Sequence, residues 1–234
     1  MVAILIILTI VGFVLADILI QRSKTRTATA MAQAEAQLPR ARAPRFVFEN
    51  LDFPAGLFLG AGHTWLSLGP TGQAQVGVDD FALQVIGRID AVELPLVGEQ
   101  IRRGQRLFSV KQGSRTAEFS SPVDGVVSAV NQALAQTPEI MKSSPFQEGW
   151  ACVLNPLNLA KDLKQLTIAE EAKDWLNREV QRFLAFVVSR PSQHLALGHV
   201  LQDGGEPASG LLEMMDDESW GQFTQRFLRE TERV

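Results

Sequence analysis

Residues 2–20, VAILIILTIVGFVLADILI, form an apolar run whose only strongly polar members are Thr9 and Asp17. At about 1.5 Å rise per residue, roughly 20 such residues cross a ~30 Å hydrocarbon core as a helix. The run predicts a transmembrane anchor over 1–21. A cleaved signal peptide would carry basic residues ahead of the apolar stretch; here none precedes it, and QRSKTR follows directly. Residues 22–45 then turn to Ala, Gln and Arg, helix-favouring at first and stopped by Pro39 and Pro44, which reads as a spacer.

From Leu57 onward the pattern changes to short alternating segments separated by Gly, Pro and Asp, at 65–68, 74–78, 106–110, 116–119 and 125–130. Several such segments with turn residues between them predict a small sandwich or barrel. Residues 81–86, opened by Asp79-Asp80 and closed by Gly87, read as a short capped helix. Apolar positions from Ile168 to Val187 recur at helical spacing, and Thr167 with Glu170 has the form of a capping box. Beyond Pro191 a mostly apolar, strand-like run occupies 193–202. An amphipathic segment over 210–229 then sets Trp220, Phe223 and Phe227 in one stripe. That stripe suits either a core or a partner's groove. The predicted fold class is α+β, mainly β: an anchor (1–21), a basic linker (22–45), a β-rich domain (46–187) and a strand-helix extension (188–234).

Charge supports this division. Residues 1–20 carry only Asp17; residues 21–45 carry six basic residues against Glu35, a balance of +5; the remaining 16 basic and 24 acidic residues give −8. The excess of Lys and Arg just after the apolar run places the bulk of the chain on the cytoplasmic side, with the N-terminus outside, as a single-pass inner-membrane protein. Overall acidity excludes a general nucleic-acid binder. Cys152 is the sole cysteine, which excludes an internal disulfide or a multi-cysteine zinc site. His194 and His199, five apart on a predicted strand, point to opposite faces and do not form a metal pair. His63 reads as a hydrogen-bonded core or turn residue rather than a base, since no Ser, Cys or carboxylate partner is signposted, and Cys152 lies in an apolar run as a small buried side chain.

Particular residues then carry a resemblance. The order His63-Thr64-Trp65, Gly77-Val78-Asp79-Asp80-Phe81-Ala82, Leu94-Pro95-Leu96-Val97-Gly98 and Pro122-Val123-Asp124-Gly125-Val126-Val127 resembles the H protein of the glycine cleavage system. Asn131, Pro138-Glu139, Pro145-Phe146 and Gly149-Trp150 continue it, over roughly residues 57–185. The resemblance implies a lipoyl-carrier, barrel-sandwich hybrid fold, with lipoate carried on a lysine at a hairpin tip. Aligned without gaps from Gly104 or from Pro122, that lysine position falls on Ser114, whose hydroxyl cannot form the lipoyl amide. The family's acidic residue just upstream falls on Lys111, a charge reversal.

These readings predict a non-catalytic, membrane-anchored scaffold or accessory subunit, with no cofactor, metal or small-molecule substrate. Its partners would be the lipid bilayer and the protein subunits of a membrane-associated, redox-type complex. Candidate docking residues are Lys111 and Arg115 at the tip, within a basic region that includes Arg102, Arg103 and Arg106, and the aromatic Trp220, Phe223 and Phe227. Two alternatives stand beside this. One is an active lipoyl carrier for a dehydrogenase or sulfur pathway using Lys111. The other is a periplasmic transport adaptor, which would need the opposite topology and a helical hairpin inserted between Leu107 and Val130.

Overall fold

The computed structural model describes residues 53–189 and 210–229, all within the compact unit that spans 46–234. The predicted anchor, the linker and the 193–202 strand lie outside the described residues. Among the described residues no helix is long and apolar enough to cross a membrane.

Among the described residues, ten strands form two antiparallel sheets. The larger comprises β1 (Phe58–Leu59), β2 (Thr64–Leu68), β3 (Ala74–Val78), β5 (Gln100–Ile101), β8 (Gly125–Val130), β9 (Cys152–Pro156) and β10 (Thr167–Ile168), in the order β10-β1-β2-β3-β9-β8-β5. The smaller has β4 (Ala91–Glu93), β6 (Arg106–Gln112) and β7 (Arg115–Ser120), in the order β4-β6-β7. Alternation is clean in β7, where Ala117 and Phe119 are buried while Thr116 and Glu118 face solvent. In β6 the register slips between Arg106 and Phe108, so Leu107 and Phe108 are both buried, as a bulge allows. One contiguous core joins the sheets, with Leu66, Val76 and Val78 from the larger and Phe108, Val110 and Phe119 from the smaller.

The helix expected at 81–86 is α1 (Asp80–Ile86). Its N-cap is Asp79, whose Oδ1 accepts the Ala82 N–H at 2.9 Å, and it ends on Gly87 at φ 86°. Trp65 is fully buried and its indole N–H is shared between the carbonyls of Val78 (3.0 Å) and Pro145 (3.2 Å). Its cross-strand partner is Gly77, where an added Cβ would stand 2.5 Å from the ring. The glycine is required by the tryptophan. Four short helical segments follow: α2 (Ala133–Gln136), α3 (Ile140–Ser143), α4 (Leu159–Asp162) and a 3-10 turn at Leu163–Gln165.

The long helix α5 (Ala169–Val188) buries Ala172, Leu176, Glu179, Phe183, Phe186 and Val187 on one stripe. The expected Thr167–Glu170 capping box does not form. Thr167 belongs to β10, paired to β1, and its hydroxyl donates to the Leu59 carbonyl at 3.2 Å; Ile168 is the N-cap and Glu170 pairs with Lys173. Strand pairing has taken the hydroxyl that the cap would need.

The described part of the extension consists of a 3-10 turn (Leu211–Met214), α6 (Asp217–Phe223) and one π-helical turn (Thr224–Leu228). Asp216 caps α6 by accepting the Ser219 N–H at 2.8 Å. Phe223 and Phe227 stack at 5.1 Å, and both meet Phe183 edge-on at 5.7 and 5.9 Å. Of the two uses open to the aromatic stripe, the structure shows the core: Trp220, Phe223 and Phe227 are all buried.

Two stability outcomes follow from this packing. Gly77→Ala should displace Trp65 and lower stability by about 1–3 kcal/mol, the usual cost of overpacking a core, read by urea unfolding. Phe223→Ala should cost about 3–5 kcal/mol in the same assay, and an effect under about 1 kcal/mol would mean that the extension does not pack as described.

Candidate functional site

The hairpin β6–β7 turns through two residues, Gly113 and Ser114, because Gln112 pairs with Arg115. Gly113 takes φ 56°, the left-handed value that a two-residue hairpin turn of this kind demands at its first position. Ser114, the aligned carrier position, is exposed at the tip. Its environment is rigid. The Gly113 N–H is bound by Asp90 Oδ2 at 2.7 Å, and Asp90 is fixed in turn by its own N–H on the Lys111 carbonyl and by Arg88 at 2.8 Å. Gln112 is buried and donates to the Ile86 and Arg88 carbonyls at 2.8 and 2.9 Å, tying the hairpin to the end of α1.

Lys111 is held rather than free. Its Nζ lies 2.5 Å from Glu93 Oε1 across the β4–β6 pairing, with the side chain 41% exposed. The hydrogen bond from Lys111, and then that from Ser109, hold the Glu93 carboxyl below its usual value. Arg106 also engages Glu93, at 3.0 Å, and Glu118, at 3.6 Å. Arg115 is tied up completely by its own chain. Its guanidinium reaches Leu212 O (3.0 Å), Met215 O (2.7 Å) and Asp217 Oδ1 (2.7 Å), and sits 5.5 Å from the centre of the Trp220 ring. Trp220 Nε1 donates to Thr116 O at 3.2 Å. Residue Gly210 donates to Gln84 O at 2.7 Å, and Glu213 accepts the Arg88 N–H at 2.5 Å.

The sequence-based docking set is therefore corrected in part. Arg115, Trp220, Phe223 and Phe227 are internal contacts of the hairpin and the extension, so they do not present a docking surface. The tip region is a set of closed ion pairs with exposed Ser114 at its apex, not a basic face. Of the basic residues in this region, Arg102 is exposed at the far end of the hairpin, outside these pairs.

His63 is the hydrogen-bonded core residue that its sequence context suggests, held by partners the neighbouring sequence did not signpost. It is fully buried at φ 61°, with Nδ1 2.7 Å from Asp79 Oδ2 and Nε2 3.7 Å from Glu179 Oε2. Phe81 and Trp175 cover its two sides at 5.0 and 4.9 Å. Burial opposes the charged ring, yet the field and hydrogen bond of Asp79, and then those of Glu179, outweigh it and raise the pKa to about 9. Glu179 continues to Arg182 at 2.6 Å, whose guanidinium lies 4.3 Å from the Phe227 ring centre and donates to Arg226 O. With His63 and Asp79 fully buried at its centre and Arg182 at its solvent-facing end, this network is a structural clasp. Sequence reading missed both carboxylates because they lie 16 and 116 positions away in the chain. Only the Asp79-Asp80 cap hinted at one. Cys152 is likewise buried, and burial pushes its thiol up to about 12.

Two antiparallel sheets around one core, with the β6–β7 hairpin and a C-terminal helix, define a barrel-sandwich domain. The family model described as Glycine cleavage H-protein matches residues 59–179. The chain belongs to that family. A glycine cleavage system H protein of Psychrobacter cryohalolentis is 36% identical over 125 residues, 53% of this chain and 98% of its own. The protein of Thermococcus kodakarensis named "Probable glycine cleavage system H protein" is 34% identical over 121 residues, 52% of this chain and 90% of its own. The crystal structure of a glycine cleavage system H protein from Mycobacterium marinum aligns at 24% identity and a TM-score of 0.48, covering 53% of this chain and 99% of that one.

Two measurements test these networks. Arg115→Ala should cost about 2–3 kcal/mol, since hydrogen bonds from a charged donor are lost, and should speed tryptic cleavage within 210–229 ahead of the barrel. For His63, the folded value of about 9 lies above the unfolded 6.5. Its stabilising contribution is full below pH 6.5 and disappears as pH rises through 9, on the order of 3 kcal/mol. Melting temperature should fall over that window, and His63→Gln should flatten the fall.

Proposed function

We propose that this chain is an H-protein-type subunit that carries no lipoate and acts as a membrane-tethered docking component of a membrane-associated protein complex. The observation that carries the reading is the exposed Gly113-Ser114 turn: the aligned carrier position offers a hydroxyl where amide formation needs an amine. The turn is held against the body by Asp90, Gln112 and Arg115. The relatives are named as parts of the glycine cleavage system, and a non-enzymatic role fits a family of carrier proteins. What this chain keeps from the family is a shape that other subunits can recognise.

The apolar run 2–20, followed by the +5 segment, supports a tether with the folded domain on the cytoplasmic side. The hairpin itself speaks against the transport-adaptor reading, because β6 and β7 are joined by two residues, leaving no room for a helical insertion. The alternative of lipoate on Lys111 needs an accessible amine, and the Lys111 Nζ is paired with Glu93 across the ladder.

Intact mass of the protein purified from its native membrane should equal that of the unmodified chain. A lipoyl or octanoyl adduct mapped to Lys111 would establish the carrier reading instead. Extraction in mild detergent should bring stoichiometric protein partners with the chain; recovery of the chain alone would remove the docking role.

A further inference from the structure

The larger sheet ends at β5, and the chain on either side of that edge is unusual. Just before it, residues 96–100 are all exposed. Leu96 and Val97 are 75% and 62% exposed, the two most open large hydrophobic side chains among the described residues. Their turn is fixed. Leu96 N–H donates to Glu99 Oε2, Glu99 N–H to Leu96 O, and Gly98 N–H to Val127 O, with Gly98 at φ 90°. The apolar pair is thus presented on a rigid turn with its one nearby carboxylate turned onto backbone.

The other end of β5 is basic. Ile101 pairs with Gly125, and Gly125 with Pro156, so the next residues outward, Arg102, Asp124 and Leu157, follow one another across three strands. Leu157 is 54% exposed. A cleft of about 460 Å³ opens there among Arg102, Arg103 and Lys161, with Asp124 and Asp162 at its wall. Both carboxylates accept backbone N–H groups, from Arg103 (2.7 Å) and Asp124 (2.9 Å). Arg102 and Lys161 are exposed and have no ion pair among the described residues.

We propose that this edge is a second membrane contact: Leu96 and Val97 enter the interfacial region of an anionic bilayer while Arg102 and Lys161 meet its headgroups. The turn at 96–99 leads straight into the two-residue β5 and on to Arg102, so the apolar pair and the cations lie along one edge of the sheet. An apolar tip beside unpaired cations is the chemistry of surface-lying membrane contacts. An acidic protein groove would match the cations, but offers less to two adjacent aliphatic side chains on a convex turn. The inference rests on the tether reading, which keeps the domain near a bilayer and raises the local concentration for a weak second contact.

The buried Cys152 makes the test direct, because a thiol placed on the surface is the one that reacts. Full-length Leu96→Cys carries a polarity-sensitive fluorophore and is reconstituted in vesicles of phosphatidylcholine alone or with phosphatidylglycerol. Glu171→Cys on α5, which follows β10 at the opposite end of the sheet, serves as the distant control. The Leu96 probe should shift to the blue with anionic lipid and lose that shift in high salt and in the Arg102→Glu/Lys161→Glu variant, while the Glu171 probe stays unchanged. Equal behaviour of the two probes on vesicles to which the chain is bound overturns the proposal. Shielding of the Leu96 probe only in native membranes containing other proteins overturns it in favour of a protein interface. Failure of the full chain to float with vesicles removes the tether reading, and the blue shift on added anionic vesicles then decides the edge contact by itself.

Discussion

The buried contact between Asp79 and His63 ties together more of this fold than any other single interaction. One carboxylate oxygen caps α1 and the other holds the imidazole, while the Asp79 N–H bonds the His63 carbonyl. The turn into β2, the end of β3 and the start of α1 therefore share one charge. A buried cation without partners would be prohibitively costly; two carboxylates make it tenable. Through Glu179 the same charge reaches α5, and through Arg182 it reaches the final turn of the described chain. Elements far apart in sequence are thereby fixed by one electrostatic balance, with the aromatic faces of Phe81 and Trp175 keeping water out.

Around the hairpin a comparable closure has a different meaning. A carrier tip depends on a long side chain free to move, on a support that stays clear of it. Here every cation near the apex is matched by a carboxylate or a carbonyl, and the segment 210–229 grips the strand that leaves the turn. The family shape persists while the tip has become part of the body.

Much of the fold could be read along the chain, since the strands at 74–78 and 125–130 and the Asp79-capped helix depend on local pattern. The failures are instructive because each involves a competitor distant in sequence. Thr167 looked like a cap and is a strand residue, because β1 offered its hydroxyl the Leu59 carbonyl. Arg115 and Lys111 looked like surface cations, since Asp217 and Glu93 come to them only through tertiary folding. The partners of His63 were hidden for the same reason. Ser114 at the carrier position is what the family resemblance implies; the contacts around it were not legible, because they are made by Asp90, Gln112 and the extension.

Trp220 has one more consequence, through the carbonyl it binds. Gln112 and Arg115 form the hydrogen-bonded pair that closes the turn, so the next residue, Thr116, directs its backbone groups away from β6, toward the open side of the small sheet. The indole N–H occupies that carbonyl, and the π-helical turn lies along the same strand. Without residues 210–229, the sequence RTAEFS would present an unguarded strand edge to any other extended chain, including a second copy of itself. Residues 210–229 thus cover an edge that strand addition would otherwise find open.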